Sequence, residues 1–142
     1  MAIAPIYFHF EHPDYNFLPQ EKISGWIREV CQTEKVQIKV LDFILCTDQD
    51  LLEINIKHLN HNYLTDVITF PYSESNTLEA DIFISLDRVN ENSDYLNINY
   101  FDELCRVMIH GVLHLCGYKD KTEPEKLEMR KKEDYYLSLR PF

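Results

Sequence analysis

Two histidines, a glycine and an aspartate carry the chemistry for which this chain is best equipped. They stand in His110-Gly-Val-Leu-His114-Leu-Cys-Gly117-Tyr-Lys-Asp120. Inside a helical pattern, side chains four positions apart lie about 40° apart around the axis, one turn above each other. Both imidazoles can then reach one metal ion from a single helix face. Gly117 falls where a helix would end in a left-handed residue, a conformation only glycine takes cheaply. The chain can leave the helix there and swing Asp120 back toward the rings. Read this way, His-x3-His-x5-Asp is a three-ligand site with coordination left open, the pattern of catalytic rather than structural zinc. The plainer alternative is two ordinary helix histidines; the placed glycine and the acidic third position weigh against it.

The same 0, +4, +10 spacing, with glycine at +7, also occurs in metzincin-type metalloproteases. Those enzymes keep a glutamate directly after the first histidine, and Gly111 stands there instead. Without it, the attacking water lacks its usual proton acceptor. No residue announces itself as a general base. Cys31, Cys46, Cys105 and Cys116 form no Cys-x-x-Cys pair and read as small buried hydrophobes in a reducing compartment. Cys116 follows His114 by two, on a different helix face, and is not expected to be a ligand.

A length of 142 residues suits one domain with a real core, and 45% hydrophobic content indicates a globular fold. Nothing approaches about 18 consecutive apolar residues, so no membrane span is expected. The start, Met-Ala-Ile-Ala-Pro-Ile-Tyr-Phe-His-Phe, lacks a basic region and runs into strand-like alternation, which points to a cytoplasmic protein without a signal peptide. The net charge of −10 argues against a broad nucleic-acid grip, so cations must be gathered locally or the partner is not bare nucleic acid. Lys119, Lys121, Lys126, Arg130, Lys131, Lys132 and Arg140 form one such cluster, but their interleaving with Glu125, Glu128, Glu133 and Asp134 reads more simply as a solvated helix face with i,i+4 pairs.

The elements that must hold the site follow from pattern. Ile6–Phe10 reads as a strand and Pro19 opens a helix to about Thr33, with Ile23, Trp26, Ile27 and Val30 on one face. His9 and His12 read as bystanders. Val36–Cys46 is a second strand; Thr47 or Asp48 caps a helix ending near His58. Thr65–Pro71 and Asp81–Ser85 are strands joined by a loop over Ser73–Thr77. Helices over Leu86–Asn92 and Asn99–Cys116 follow, and Thr122 starts the last, with Pro124 in its first turn. The order implies an α+β (α/β-like) single domain over 1–142, a small four-stranded mixed sheet packed with about five helices. The strand-helix-strand start favours a parallel pair, and the short loop between strands three and four an antiparallel edge.

From about Asp48 onward the residues resemble the YbeY family of metal-dependent endoribonucleases. The likeness rests on His-Gly-Val-Leu-His-Leu-Cys-Gly-Tyr at 110–118, and on Asn55 followed by Thr65-Asp-Val-Ile-Thr-Phe70. Ala80-Asp81-Ile82, Met129 and Glu133 add to it. The resemblance implies that His110, His114 and residue 120 bind one metal per chain, usually zinc. It further implies a single-strand-specific endoribonuclease acting in late 16S rRNA processing and ribosome maturation and quality control. Its partners would be ribosomal RNA and the small ribosomal subunit.

Two departures stand out. The family motif ends Tyr-Asp-His where this chain has Tyr118-Lys119-Asp120, so the third ligand becomes a carboxylate, which makes a bound metal a weaker Lewis acid. The family also places Tyr-Arg where His58-Leu59 stand, and Leu59 cannot contact phosphate; Lys57, His61 or Arg88 are the candidate substitutes. With the charge of −10, this keeps open a non-catalytic ribosome-assembly factor that carries a zinc site and docks on a basic ribosomal protein. A metzincin-like metalloprotease is the remaining alternative.

Overall fold

Alternate residues of a strand face opposite sides of a sheet, and here both sides are used. In the strand Thr77–Ser85, Leu78, Ala80, Ile82 and Ile84 enter the main core, while Phe83 packs on a smaller cluster of Cys46, Leu51 and Ile68. The computed structural model describes residues 4–11, 18–73 and 76–142. Its strands are β1 (Ile6–Phe10), β2 (Gln37–Cys46), β3 (Val67–Pro71) and β4 (Thr77–Ser85), ordered β1-β2-β4-β3. The β1–β2 and β2–β4 pairs are parallel, with Phe8 opposite Phe43 and Phe43 opposite Ile82. Strand β3 closes the edge antiparallel to β4, with Val67 opposite Ile84. The four-stranded mixed sheet expected from pattern is the one observed.

Five helices cover it: α1 (Gln20–Thr33), α2 (Asp48–Leu59), α3 (Leu86–Leu96), α4 (Tyr100–Leu115) and α5 (Glu123–Ser138). Ile23, Trp26, Ile27 and Val30 bury the face of α1 that their spacing defines. Helix α2 supplies Leu51 to the opposite, smaller cluster. Thr47, not Asp48, caps α2, in a reciprocal box with Asp50. Thr122 and Glu125 form the same box at the start of α5. No helix among the described residues is long and apolar enough to cross a membrane.

Two elements are longer than pattern alone indicates. Strand β4 begins at Thr77 rather than Asp81, because Thr77 to Ala80 pair with β2 residues from Gln37 to Leu41. Helix α3 runs to Leu96 rather than Asn92, where Asn97 takes the left-handed conformation (φ 55°) that ends it. The loop over Ser73–Thr77 is described except at residues 74 and 75, and His12 lies outside the described residues.

Helix α4 approaches the sheet closely at Gly111. A Cβ there would lie 3.2 Å from the Ile82 Cγ2 and 3.5 Å from the Val67 Cγ2. Ile82 is fully buried and has no room to yield. Gly111 thus sets how closely the helix carrying both histidines rests on β3 and β4. Gly111→Val should cost roughly 1–3 kcal/mol through overpacking, read as a lower urea midpoint. An unchanged midpoint would mean that α4 can slide outward freely.

Candidate metal centre

His110 and His114 occupy the last turns of α4 with their rings stacked, centroids 6.0 Å apart and planes 12° from parallel. The helix then stops as expected. Gly117 has φ +109°, its N–H donates to the His114 carbonyl (3.1 Å), and the Tyr118 N–H reaches back to Leu113 (3.1 Å). These two bonds make a Schellman closure that satisfies the terminal carbonyls. Beyond it, the Tyr118 hydroxyl donates to Glu34 Oε1 at 2.8 Å, tying the turn to the end of α1. The Tyr136 hydroxyl of α5 donates to the same carboxylate.

The turn brings Asp120 back. Its Oδ2 lies 3.2 Å from His110 Nε2, and one donor atom from each of His110, His114 and Asp120 falls within 4.8 Å of the others. His110 Nδ1 is already engaged, 2.7 Å from Glu133 Oε2. Nε2 is therefore the nitrogen left to face a metal, in the carboxylate–histidine arrangement that orients metal-binding imidazoles. Glu133 is buried and is held in turn by the Arg106 guanidinium, which donates to its Oε1 at 2.9 Å. Two imidazoles and a carboxylate, backed by an oriented second carboxylate, fit a divalent ion of the zinc type with a position left for substrate. Burial pulls the His110 imidazole down, but the Glu133 bond and the charges of Glu133, Asp120 and Asp66 outweigh it and leave its pKa raised.

Asp66 lies inside the Thr65-Asp-Val-Ile-Thr-Phe70 block that carries the resemblance, but no role was expected for it. It precedes β3, its carbonyl accepts from the Ser85 N–H at 2.9 Å, and its carboxylate accepts from Asn92 at 3.3 Å. Burial raises its pKa above the usual carboxylate range, with His110 as the main opposing influence. The available signal was an acid set against the strand-forming run Val67–Phe70. Nearby Glu103 is buried, and its Oε1 has no hydrogen-bond partner among the described residues.

Two cavities flank the three candidate ligands, of about 480 and 400 Å³, and both are lined by Asp66, Val67, His110 and Asp120. The larger is walled by Arg106, Lys126 and Arg130; the smaller by Leu59, His61, Tyr63 and His114. Of the three candidate replacements for a cation at Leu59, only His61 lines either of these cavities. Arg88 is bound to Asp48 (3.1 Å) and Glu91 (2.6 Å), and Lys57 lines a separate depression beside Cys46. Buried Asn55 donates its amide to the Tyr63 carbonyl at 2.9 Å, so it holds the loop that presents His61. His9 pairs with Asp42 (2.7 Å), apart from the ligand group. Burial pushes the Cys116 thiol up to about 12, and Cys116 does not belong to the group of three donors. The α5 cations are more than a solvated face: the Lys126–Glu123 pair is i,i+3 (3.7 Å), and Lys126 and Arg130 border the larger cavity.

A mixed sheet presenting a two-histidine, one-carboxylate cluster from one helix and its following turn defines a class of small metal-site domain. The comparisons narrow it. The model of the Endoribonuclease YbeY family matches residues 9–139. Endoribonuclease YbeY of Cytophaga hutchinsonii is 46% identical over 143 residues, covering 100% of both chains. That of Karelsulcia muelleri is 56% identical over 114 residues, 80% of this chain and 81% of its own. A Thermotoga maritima protein solved in solution superposes with a TM-score of 0.69 at 28% identity, over 94% of this chain and 87% of that one. This chain belongs to the Endoribonuclease YbeY family. The match extends upstream of Asp48, into β1.

Replacing Glu133 with Ala should weaken metal binding by about 10- to 100-fold through loss of imidazole orientation, and Asp120→Ala by at least as much. Competition with a chromogenic chelator reads both, and unchanged affinity would remove the residue from the centre. A Cβ on Gly117 meets nothing within 4 Å. Gly117→Ala should therefore destabilise only through backbone strain, by about 1 kcal/mol, in thermal unfolding monitored by circular dichroism.

Proposed function

We propose that this chain is an endoribonuclease that cuts single-stranded RNA, using one zinc ion per chain held by His110, His114 and Asp120. The observation that carries this reading is the position of the three donors: His110 and Asp120 line both cavities and His114 lines the smaller, so a strand can lie on either side of them. When bound, the metal supplies Lewis-acid stabilisation of charge growing on the phosphoryl oxygens. The chain's own groups do the rest. Glu133 holds the His110 ring with Nε2 presented, and Arg106 keeps Glu133 in place. Asp66 borders both cavities beside the ligands, and its carboxylate is the group placed to accept a proton from the attacking hydroxyl. His61 and Tyr63 stack on each other with centroids 5.1 Å apart, and unpaired bases stack readily on such exposed rings.

The finer assignment is late 16S rRNA processing on the small ribosomal subunit in the cytoplasm. It rests on the family resemblance. A carboxylate third ligand lowers the Lewis acidity of a bound metal, so activity should be modest beside a three-histidine site.

A second reading is favoured by the charge of −10 and by Leu59: a ribosome-assembly factor that docks on a basic ribosomal protein without cutting RNA. Proteolysis loses ground because Gly111 stands where that chemistry keeps the glutamate that accepts the water's proton.

Elemental analysis and RNA cleavage by wild type and His114→Ala separate these readings. About one zinc per chain, lost together with cleavage in the variant, supports the nuclease. Stoichiometric metal without cleavage of any single-stranded RNA supports the assembly factor, and no metal sinks both.

A further inference from the structure

Resting on the nuclease reading, we propose that Lys126 and Arg130 of α5 form the phosphate grip for the RNA strand, on the wall of the larger cavity. That cavity is chemically unwelcoming to a polyanion. Asp66, Glu103, Asp120 and Glu133 all line it, and every nucleotide entering brings another negative charge. Cations on the same wall must offset this, and three are available: Arg106, Lys126 and Arg130.

They are not equivalent. Arg106 is fully used, with Nη1 on Glu133 (2.9 Å), Nη2 on Asp134 (3.0 Å) and Nε 3.9 Å from Glu103. It is a strut, and turning it toward a substrate would release the carboxylate that orients His110. Among the described residues Lys126 makes only an exposed i,i+3 pair with Glu123 at 3.7 Å, a kind of contact that a better partner readily replaces. Arg130 makes no hydrogen bond or close ion pair among the described residues and interacts only at longer range, with the Glu103 carboxylate that lines the same cavity. In a chain with 24 acidic and 14 basic residues, a guanidinium beside a cavity with no close partner among the described residues stands out.

The helix aims the two together. Residues 126 and 130 are one turn apart, with Cβ atoms about 5–6 Å from each other on one face. The same face drops Met129 and Glu133 into the protein, so the pair is carried on a helix anchored within one turn. An Arg can take one phosphate in a two-point contact while the Lys supplies a point charge to the same or the next one. On the other flank, Leu59, His61 and Tyr63 carry no fixed positive charge. The strand would therefore be held by its backbone on the α5 side and by its bases on the His61–Tyr63 side.

Fluorescence anisotropy with an uncleavable single strand of about 12 nucleotides (2′-O-methyl, phosphorothioate), titrated over salt on metal-loaded protein, tests this. For Lys126→Ala/Arg130→Ala, binding should weaken and the slope of log affinity against log salt should become shallower by about 1.4, about 0.7 per lost contact on a single strand. Lys131→Ala, an exposed residue bordering a different depression near Glu34, is the control for bulk charge and should leave the slope unchanged. An unaltered slope in the double variant, or equal loss in the control, overturns the grip while leaving cleavage by wild type to stand. Weakened binding in the double variant with no cleavage by wild type keeps the grip and removes the nuclease. A wild type that binds no strand removes the grip outright.

Discussion

The bond from His110 Nδ1 to Glu133 is the constraint on which the site depends. It joins two consecutive helices across the turn that carries Asp120, decides which imidazole nitrogen faces the ligand cluster, and places a buried carboxylate where only a cation can make it tolerable. Arg106 answers that demand and reaches Asp134 as well. The pairing is therefore both local chemistry and tertiary fastening. α5 cannot drift from α4 without stranding a buried charge, an outcome far costlier than the loss of a surface pair.

A second fastening acts on the turn itself. Glu34, at the end of α1, receives the hydroxyls of Tyr118 and Tyr136, and Trp26 donates to the Tyr136 carbonyl at 2.9 Å. The segment carrying Asp120 thus hangs between the Schellman closure of α4, the Glu34 clamp and the Thr122 box that starts α5. Both tyrosines are more reluctant to ionise for this contact, burial being the larger cause in each. Asp120 owes its place to backbone geometry and aromatic hydroxyls, His110 being its one partner among the described residues.

What could be read from the sequence was whatever is encoded locally. Helical spacing predicted the stacked histidines, Gly117 predicted the left-handed exit, and together they placed Asp120. Alternation exposed the strands except where β4 starts with Thr77-Leu-Glu-Ala80, whose Glu and Ala carry weak strand preference. Asp66, the partnership of Glu133 and the orientation of Arg130 were not legible, because each depends on how distant elements meet. Glu133 is 23 residues from His110. The bonds of Asp66 run to Ser85 and Asn92 across the sheet and α3. The charged run of α5 looked like ordinary solvated surface, since periodicity does not reveal that one side of it borders a cavity.

The arrangement of the two cavities has a topological consequence. A blind pocket would admit a polymer only by its end and would shorten it stepwise. Here His110 and Asp120 line two hollows at once, and Val67 of the edge strand β3 is common to both. A site open on two flanks would let a chain be laid across it at any point along its length, with neither terminus to be found or threaded.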